Sequence, residues 1–308
     1  MANCRPQPHP TWLIALSRVD RFTNRVPETV RIACCQLQPD VENPSESAAR
    51  ARAALSDAVT AGAQIVILPE LCPCGYVFKT ADEVRAIAEP AGGDLLKGWA
   101  QEAAKGDAVV IGGFCELADD GRVFNSAALV DGDGVQMVYR KLHLWNEEAI
   151  WFLRGERPAP VVQTRYGRIG MGICYDIEFP EFTRGLALAG ADLIAFPTNW
   201  PVHQWPLVEE TPILRSIALT SAYHSHVFLA VCDRAGVERG VRFRGGSVIT
   251  APDGAVLAEV GEGAEVATIF ADVDLIAARD KRTGPRNDAF ADRRPEHYLA
   301  NLSHGGQR

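Results

Sequence analysis

The run AQIVILPE, residues 63–70, constrains this chain more than any other stretch. Its apolar residues occupy both parities of a short extended segment, so neither face is left for water. A strand of this kind must be covered on both sides. It is flanked by RIACCQLQ, which starts at Arg31 and reads as a short strand, and by an alanine-rich helix over 43–59 with Pro44 near its start. Residues 80–105 are mainly helical with a break at PAGGD. AVVIGGFCE, RVFNSAALVD and VQMVYRK are three further strands, the last two joined by a turn at 131–134.

The second half repeats the alternation. A strand ends at Cys174, a helix spans about Phe182 to Ala189, and the strand ADLIAFP follows. A polar aromatic loop, NWPVHQWP, leads to a helix from about Leu207 to Tyr223, then to the strands VFLAVCD, GGSVITAP, AVLAEV and EVATIFADV, with APDG as a hairpin turn. Mixed strands and helices in two halves predict an α/β layered fold.

Composition excludes several functions. The 308 residues suffice for a large core, and 47% hydrophobic with 23% charged residues is ordinary for a globular enzyme. A net charge of −8 without a basic aromatic patch argues against nucleic acid. No GxGxxG opens a helix after the first strand and no GxxxxGK[ST] is present, so nucleotide loops have no support. Among the eight cysteines, Cys34 and Cys35 are adjacent and Cys72 and Cys74 flank Pro73, which matches neither a disulfide framework nor a zinc knuckle. HSH at 224–226 reads as structural, so no metal or cofactor is expected. With no signal peptide and no apolar run of about 18 residues, the expected setting is a reducing cytoplasm, away from membranes. Residues 1–28 read as an N-terminal extension, and 29–308 as one domain with a C-terminal tail.

Chemistry is concentrated where apolar runs stop. Glu70 closes AQIVILPE, Lys141 follows VQMVYR, and Cys174 ends the run in GMGICYDIEFPE, residues 170–181. Most cysteines are inert core. Three reactive side-chain types at strand exits instead suggest one site at one rim of a sheet. A thiol at a strand–turn–helix junction lies near the positive end of a helix, which lowers its pKa and supplies N–H groups for an oxyanion.

These segments resemble the nitrilase and amidase superfamily of carbon–nitrogen hydrolases, whose members carry a Glu, a Lys and a Cys in this order. The likeness rests on LPE at 68–70, RKLHLWNEEAIWFLRG at 140–155 and GMGICYDIEFPE. The middle segment supplies Lys141, His143 two on, Glu148 seven on and Gly155 fourteen on, and FPTNW at 196–200 and DRAGVERGVRFRGGSVITAPDG at 233–254 extend the match to roughly residues 30–275. The resemblance implies a four-layer α-β-β-α sandwich that forms a homodimer or larger even oligomer.

It also implies roles. Cys174 is the nucleophile, Glu70 the general base, Lys141 the oxyanion's positive charge beside the Tyr175 N–H, and Glu148 a support for Lys141. Tyr76, Trp145, Trp151, Asn199 and Trp200 fall near the substrate, with Phe152 as packing. Arg184, Arg215 and Arg244 are candidate carboxylate binders, of which Arg244, in a loop, is preferred. Tyr175 and Asp176 follow the nucleophile where many nitrilases have Trp-Glu, which favours hydrolysis of a small aliphatic or aryl amide. Nitrile hydrolysis and N-carbamoyl amino acid hydrolysis stand as alternatives, a catalytically dead scaffold is disfavoured, and acyl transfer stays open.

Overall fold

A computed structural model describes residues 26–202, 213–261 and 265–302. In chain order the elements are β1 (Val30–Gln36), α1 (Pro44–Thr60), β2 (Ile65–Ile67), α2 (Ala81–Ile87), α3 (Asp94–Gly106), β3 (Val109–Leu117), β4 (Val123–Asp131), β5 (Gly134–Arg140) and α4 (Glu148–Trp151). They continue with β6 (Val161–Thr164), β7 (Gly167–Met171), a 3-10 turn (Cys174–Glu178), α5 (Pro180–Leu188), β8 (Leu193–Pro197), α6 (Ile213–Ser225) and β9 (Phe228–Cys232). After two short strands, β10 (Val237–Glu238) and β11 (Val241–Arg242), come β12 (Val248–Thr250), β13 (Val256–Glu259) and β14 (Ala267–Val273). A 3-10 turn (Leu275–Arg279), β15 (Arg282–Gly284), β16 (Asn287–Asp288) and α7 (Pro295–Leu302) close the order.

Two six-stranded sheets carry the fold, ordered β14-β1-β2-β3-β4-β5 and β6-β7-β8-β9-β12-β13. Both run through the same pairings from their first strand: antiparallel, parallel, parallel, antiparallel, antiparallel.

The doubly apolar strand shows how the layers arise. Ile65 and Ile67 join the cluster between the sheets, together with Ile32, Ile111, Ile169 and Leu193. Val66 and Leu68 belong to a second cluster with Leu55 of α1 and Trp99 of α3. On the other side, Leu186 of α5 and Leu214 and Ala218 of α6 pack on the second sheet. Alternation along each strand thus fills two interfaces at once and gives the α-β-β-α sandwich.

Several boundaries differ from expectation. The second strand ends at Ile67, short of Glu70. Between β7 and α5 the chain makes a 3-10 turn, so the helix starts at Pro180, ahead of Phe182; proline at the first helical position fixes that start. β6 was not anticipated, because VVQT is short and lies among turn residues. The proposed helix start at Leu207, the second half of the aromatic loop (203–206) and residues 1–25, with Cys4, lie outside the described residues.

Candidate active site

Glu70, Lys141 and Cys174 reach one place from different sheets. The segment after β2 is stitched to β3 by Gly113, whose N–H donates to Pro69 O (3.0 Å) and whose carbonyl accepts from Cys72 N (3.2 Å). A Cβ on Gly113 would sit 2.6 Å from Glu70 Cα, so only glycine allows this approach. Leu71, next to Glu70, and Cys174 itself adopt left-handed backbone with φ of 43° and 45°. Such conformations are uncommon for non-glycine residues and cluster at functional sites. Lys141 leaves β5 with its N–H donating to Asn125 O of β4 at 2.9 Å.

The side chains then interlock. Lys141 Nζ donates to Glu70 Oε1 (2.7 Å) and to Glu148 Oε1 (2.8 Å). Glu70 Oε1 also accepts from Asn125 Nδ2 (2.7 Å), and its Oε2 from the Asn199 N–H (3.0 Å). Glu148 accepts from the Tyr76 hydroxyl (2.6 Å) and the Trp145 N–H (3.2 Å). The Cys174 thiol donates to Asn199 O at 3.5 Å. One peptide residue, Asn199, therefore touches both the thiol and the Glu70 carboxylate.

All four charged or nucleophilic groups are buried, with Glu70 and Lys141 at 0% exposure. Burial pushes the Glu70 carboxyl up to about 7, against the pull of Lys141 and with help from the Glu148 charge. For Lys141 burial works downward, but the Glu148 and Glu70 carboxylates outweigh it and hold the ammonium above its ordinary range. The Cys174 thiol is also raised, first by burial and then by Glu70, with Lys141 opposing. This corrects the expected lowering: the turn leaves the thiol in a dry pocket facing carboxylates, and these outweigh any helix-end effect. Burial thus favours the neutral thiol, and the Glu70 carboxyl, poised near neutrality, lies on the other side of Asn199.

Asp176 locks the nucleophile turn to the lysine loop. Its carboxylate accepts from Ile173 N (2.9 Å), Tyr139 Oη of β5 (2.8 Å) and His143 N (3.2 Å), and His143 Nδ1 lies 2.7 Å away. His143 stacks on Phe179 with centroids 3.8 Å apart.

Cys174 opens into a cavity of about 520 Å³ lined by Trp145, Tyr175, Asn199, Trp200 and Arg244, among others. Tyr76 and Trp151 instead line a neighbouring cavity of about 510 Å³ on the Glu148 side, which shares Trp145 with the first. Tyr76 thus meets the site through its bond to Glu148 and lines this adjoining cavity. Of the three arginines, only Arg244 reaches the cavity. Arg184 donates to the carbonyls of His224 and Ala289, and Arg215 pairs with Glu259 at the surface. Phe152 packs edge-on against Phe78. Among the described residues no group of His, Cys, Asp and Glu could hold a metal ion, and no helix is long and apolar enough to cross a membrane.

Asn125 and Tyr139 went unread in the sequence, and Asp176 was read for the choice of substrate and not for its structural ties. A signal existed for Asn125, since it is a lone amide inside the apolar strand VFNSAALV. A fully buried polar side chain there requires a partner.

Comparison with known proteins places this geometry in context. A family model described as carbon-nitrogen hydrolase matches residues 31–283. A nitrilase of Pyrococcus abyssi is 35% identical over 270 residues, 88% of this chain and 99% of that protein. An (R)-stereoselective amidase of Pseudomonas sp. is 33% identical over 70% of this chain and 75% of its own length. Among solved structures, an amidase from Nesterenkonia sp. superposes with a TM-score of 0.73 at 26% identity, covering 91% of this chain and 98% of that one. Variants of that amidase have been solved with butyramide, and with the acetamide moiety of fluoroacetamide added covalently at the active site cysteine.

Proposed function

This chain belongs to the carbon–nitrogen hydrolase family, and from that premise we propose that it hydrolyses a small carboxamide to carboxylate and ammonia through a thioester on Cys174. Hydrolysis of a C–N bond through an active-site cysteine is the family's chemistry here; the residue roles and the choice of amide are the proposal. The observation that carries it is the shared contact of Cys174 and Glu70 with Asn199, which holds a protonated thiol beside a carboxylate titrating near neutrality.

Glu70 takes the thiol proton as sulfur attacks the carbonyl carbon. The oxyanion forms against the Lys141 ammonium and the Tyr175 N–H. Collapse breaks the C–N bond, and the proton on Glu70 passes to the leaving nitrogen, so ammonia departs and the acyl group stays on sulfur. Glu70 then draws a proton from water, which attacks the thioester, and returns it to the thiolate as the carboxylate leaves. A carboxyl with a pKa of about 7 suits both directions of transfer. Glu148 and the Tyr76 hydroxyl keep Lys141 charged and in place.

The names of the relatives favour amides, and the small amides bound by the Nesterenkonia amidase suggest an aliphatic acyl group. A nitrile is the second reading, supported by the Pyrococcus relative's name. Comparing kcat/KM for an amide, its matched nitrile and an N-carbamoyl amino acid tests the choice. The amide is expected to lead by at least about tenfold, roughly 1.4 kcal/mol of transition-state stabilisation. Faster nitrile turnover would reverse it, and a carbamoyl advantage lost in Arg244→Ala would assign Arg244 to a carboxylate.

The proposed assembly is a homodimer or larger even oligomer. Of the apolar residues around α5, Leu188 is exposed while Leu186 is buried, and Tyr223 of α6 is also exposed. Light scattering at micromolar concentration tests it, and a stable, fully active monomer would refute it. The proposed setting is the cytoplasm, whose reducing poise suits a nucleophile that must remain a thiol.

A further inference from the structure

One buried carboxylate has no part in the chemistry yet holds a wall of the nucleophile's cavity. Residues 200–202 and 242–244 form a two-stranded ladder, with Arg244 N donating to Trp200 O (3.0 Å), Val202 N donating to Arg242 O (2.8 Å), and Pro201 bridged to Phe243. Trp200 and Arg244 line the Cys174 cavity at one end of this ladder. Asp233, the first residue after β9, closes that same end. Its Oδ1 accepts from the N–H groups of Trp200 and Arg234, both at 2.9 Å. Its Oδ2 accepts from the N–H groups of Gly245 (3.1 Å) and Gly246 (3.3 Å).

We propose that Asp233 is the positioning residue that sets the spacing of the Trp200 and Arg244 wall, and through it which acyl groups fit beside Cys174. The inference rests on the reading of this cavity as the acyl site. Two features make the carboxylate specific to that task. It is fully buried, and burial pushes its carboxyl up to about 7 against the pull of its four N–H donors; in the ionised form both oxygens only accept, so each can serve two N–H groups at once. An amide in its place would turn an NH2 group toward two N–H donors and release one side of the ladder. Behind it, the Asp233 N–H donates to Ser247 Oγ (2.9 Å), which in turn donates to Gln36 Oε1 (2.9 Å), so the clamp is anchored to β1. The Trp200 N–H that Asp233 holds shares its peptide group with Asn199 O, the acceptor of the Cys174 thiol, but that segment keeps two anchors of its own, the Asn199 N–H on Glu70 and the Thr198 N–H on Cys232 O (2.9 Å). Loss of the clamp should therefore disturb fit more than chemistry.

The test is Asp233→Asn in the full chain, read three ways. Steady-state rates for acetamide, butyramide and benzamide are expected to show KM raised at least about tenfold with kcat within about threefold. Alkylation of Cys174 by iodoacetamide and by its bulkier N-phenyl analogue is followed by mass spectrometry. The size preference of the wild type is expected to change by at least about fivefold in the variant. Thermal unfolding is the third readout: a lowered Tm with wild-type KM values and an unchanged alkylation ratio makes Asp233 merely structural and overturns the proposal. If the wild type hydrolyses no carboxamide, the amidase reading fails, while the alkylation ratio still decides the role of Asp233. If Asp233→Asn does not fold, Ser247→Ala removes the hydroxyl behind the clamp and is expected to move the same ratio in the same direction by a smaller factor. An unchanged ratio there overturns the proposal equally.

Discussion

Asn125→Leu is the sharpest test of Glu70 as a base near neutrality. Asn125 is fully buried and gives Glu70 Oε1 one of its donors, at 2.7 Å; leucine approximates its shape without a donor. A hydrogen bond to a charged group contributes about 1.5–3 kcal/mol, and one pKa unit corresponds to about 1.4 kcal/mol. That bond favours the ionised form, so its loss raises the Glu70 pKa by about one to two units above its present value of about 7. The wild-type kcat/KM profile, followed by ammonia release from pH 5.5 to 10, should have its acid limb near pH 7, because the protonated carboxyl cannot take the thiol proton. In the variant the limb should move to roughly pH 8–9. Activity at pH 7 should fall about 5- to 50-fold and largely return at alkaline pH. A limb that stays in place, or an equal loss at every pH, would refute the assignment of the perturbed pKa to Glu70.

Cys174→Ala should abolish turnover with the fold retained, and mass spectrometry of slowly processed substrate should find an acyl adduct on Cys174 alone; residual hydrolysis in the alanine variant would remove it as nucleophile. Lys141→Met should lower kcat/KM by at least about 100-fold, and normal single-turnover thioester formation would contradict an oxyanion role. Gly113→Ala drives a methyl group into the Glu70 backbone, so it should cost activity out of proportion to stability. Comparison of kcat with Tm for that variant checks it, and a proportionate fall in both would mean that Glu70 had not moved.

The sequence was informative where a residue's environment is set by its neighbours along the chain. Apolar residues at both parities of 65–68 implied two covered faces, and the two clusters that share β2 supply them. Abrupt ends of apolar runs located Glu70, Lys141 and Cys174. Properties that depend on the third dimension were not legible. The position of Cys174 at a turn suggested a lowered thiol pKa, but burial, and then two carboxylates from distant segments, raise it. Tyr76 and Trp151 sit close in sequence to Glu70 and Glu148, yet sequence does not say on which side of Trp145 they lie. Asp233 looked like the polar end of a strand, because its four N–H donors come from three separate stretches of chain.

The matching pairing patterns of the two sheets place Glu70 after β2 and Asn199 after β8 at corresponding positions, and the two meet at 3.0 Å. Cys174 belongs to one sheet, and Glu70 and Lys141 to the other, so the centre works as a vernier across the sandwich. Apolar packing between sheets is non-directional: it fixes their separation but resists sliding weakly. Lateral alignment draws on polar ties between the sheets: Asn199 to Glu70 beside the thiol, Tyr139 to Asp176 at the turn that carries it, and Ser247 to Gln36 farther along. A slip of about 1 Å can cost about 100-fold in rate. Turnover in this fold is therefore a gauge of inter-sheet alignment, one that registers a displaced core before any loss of secondary structure can be seen.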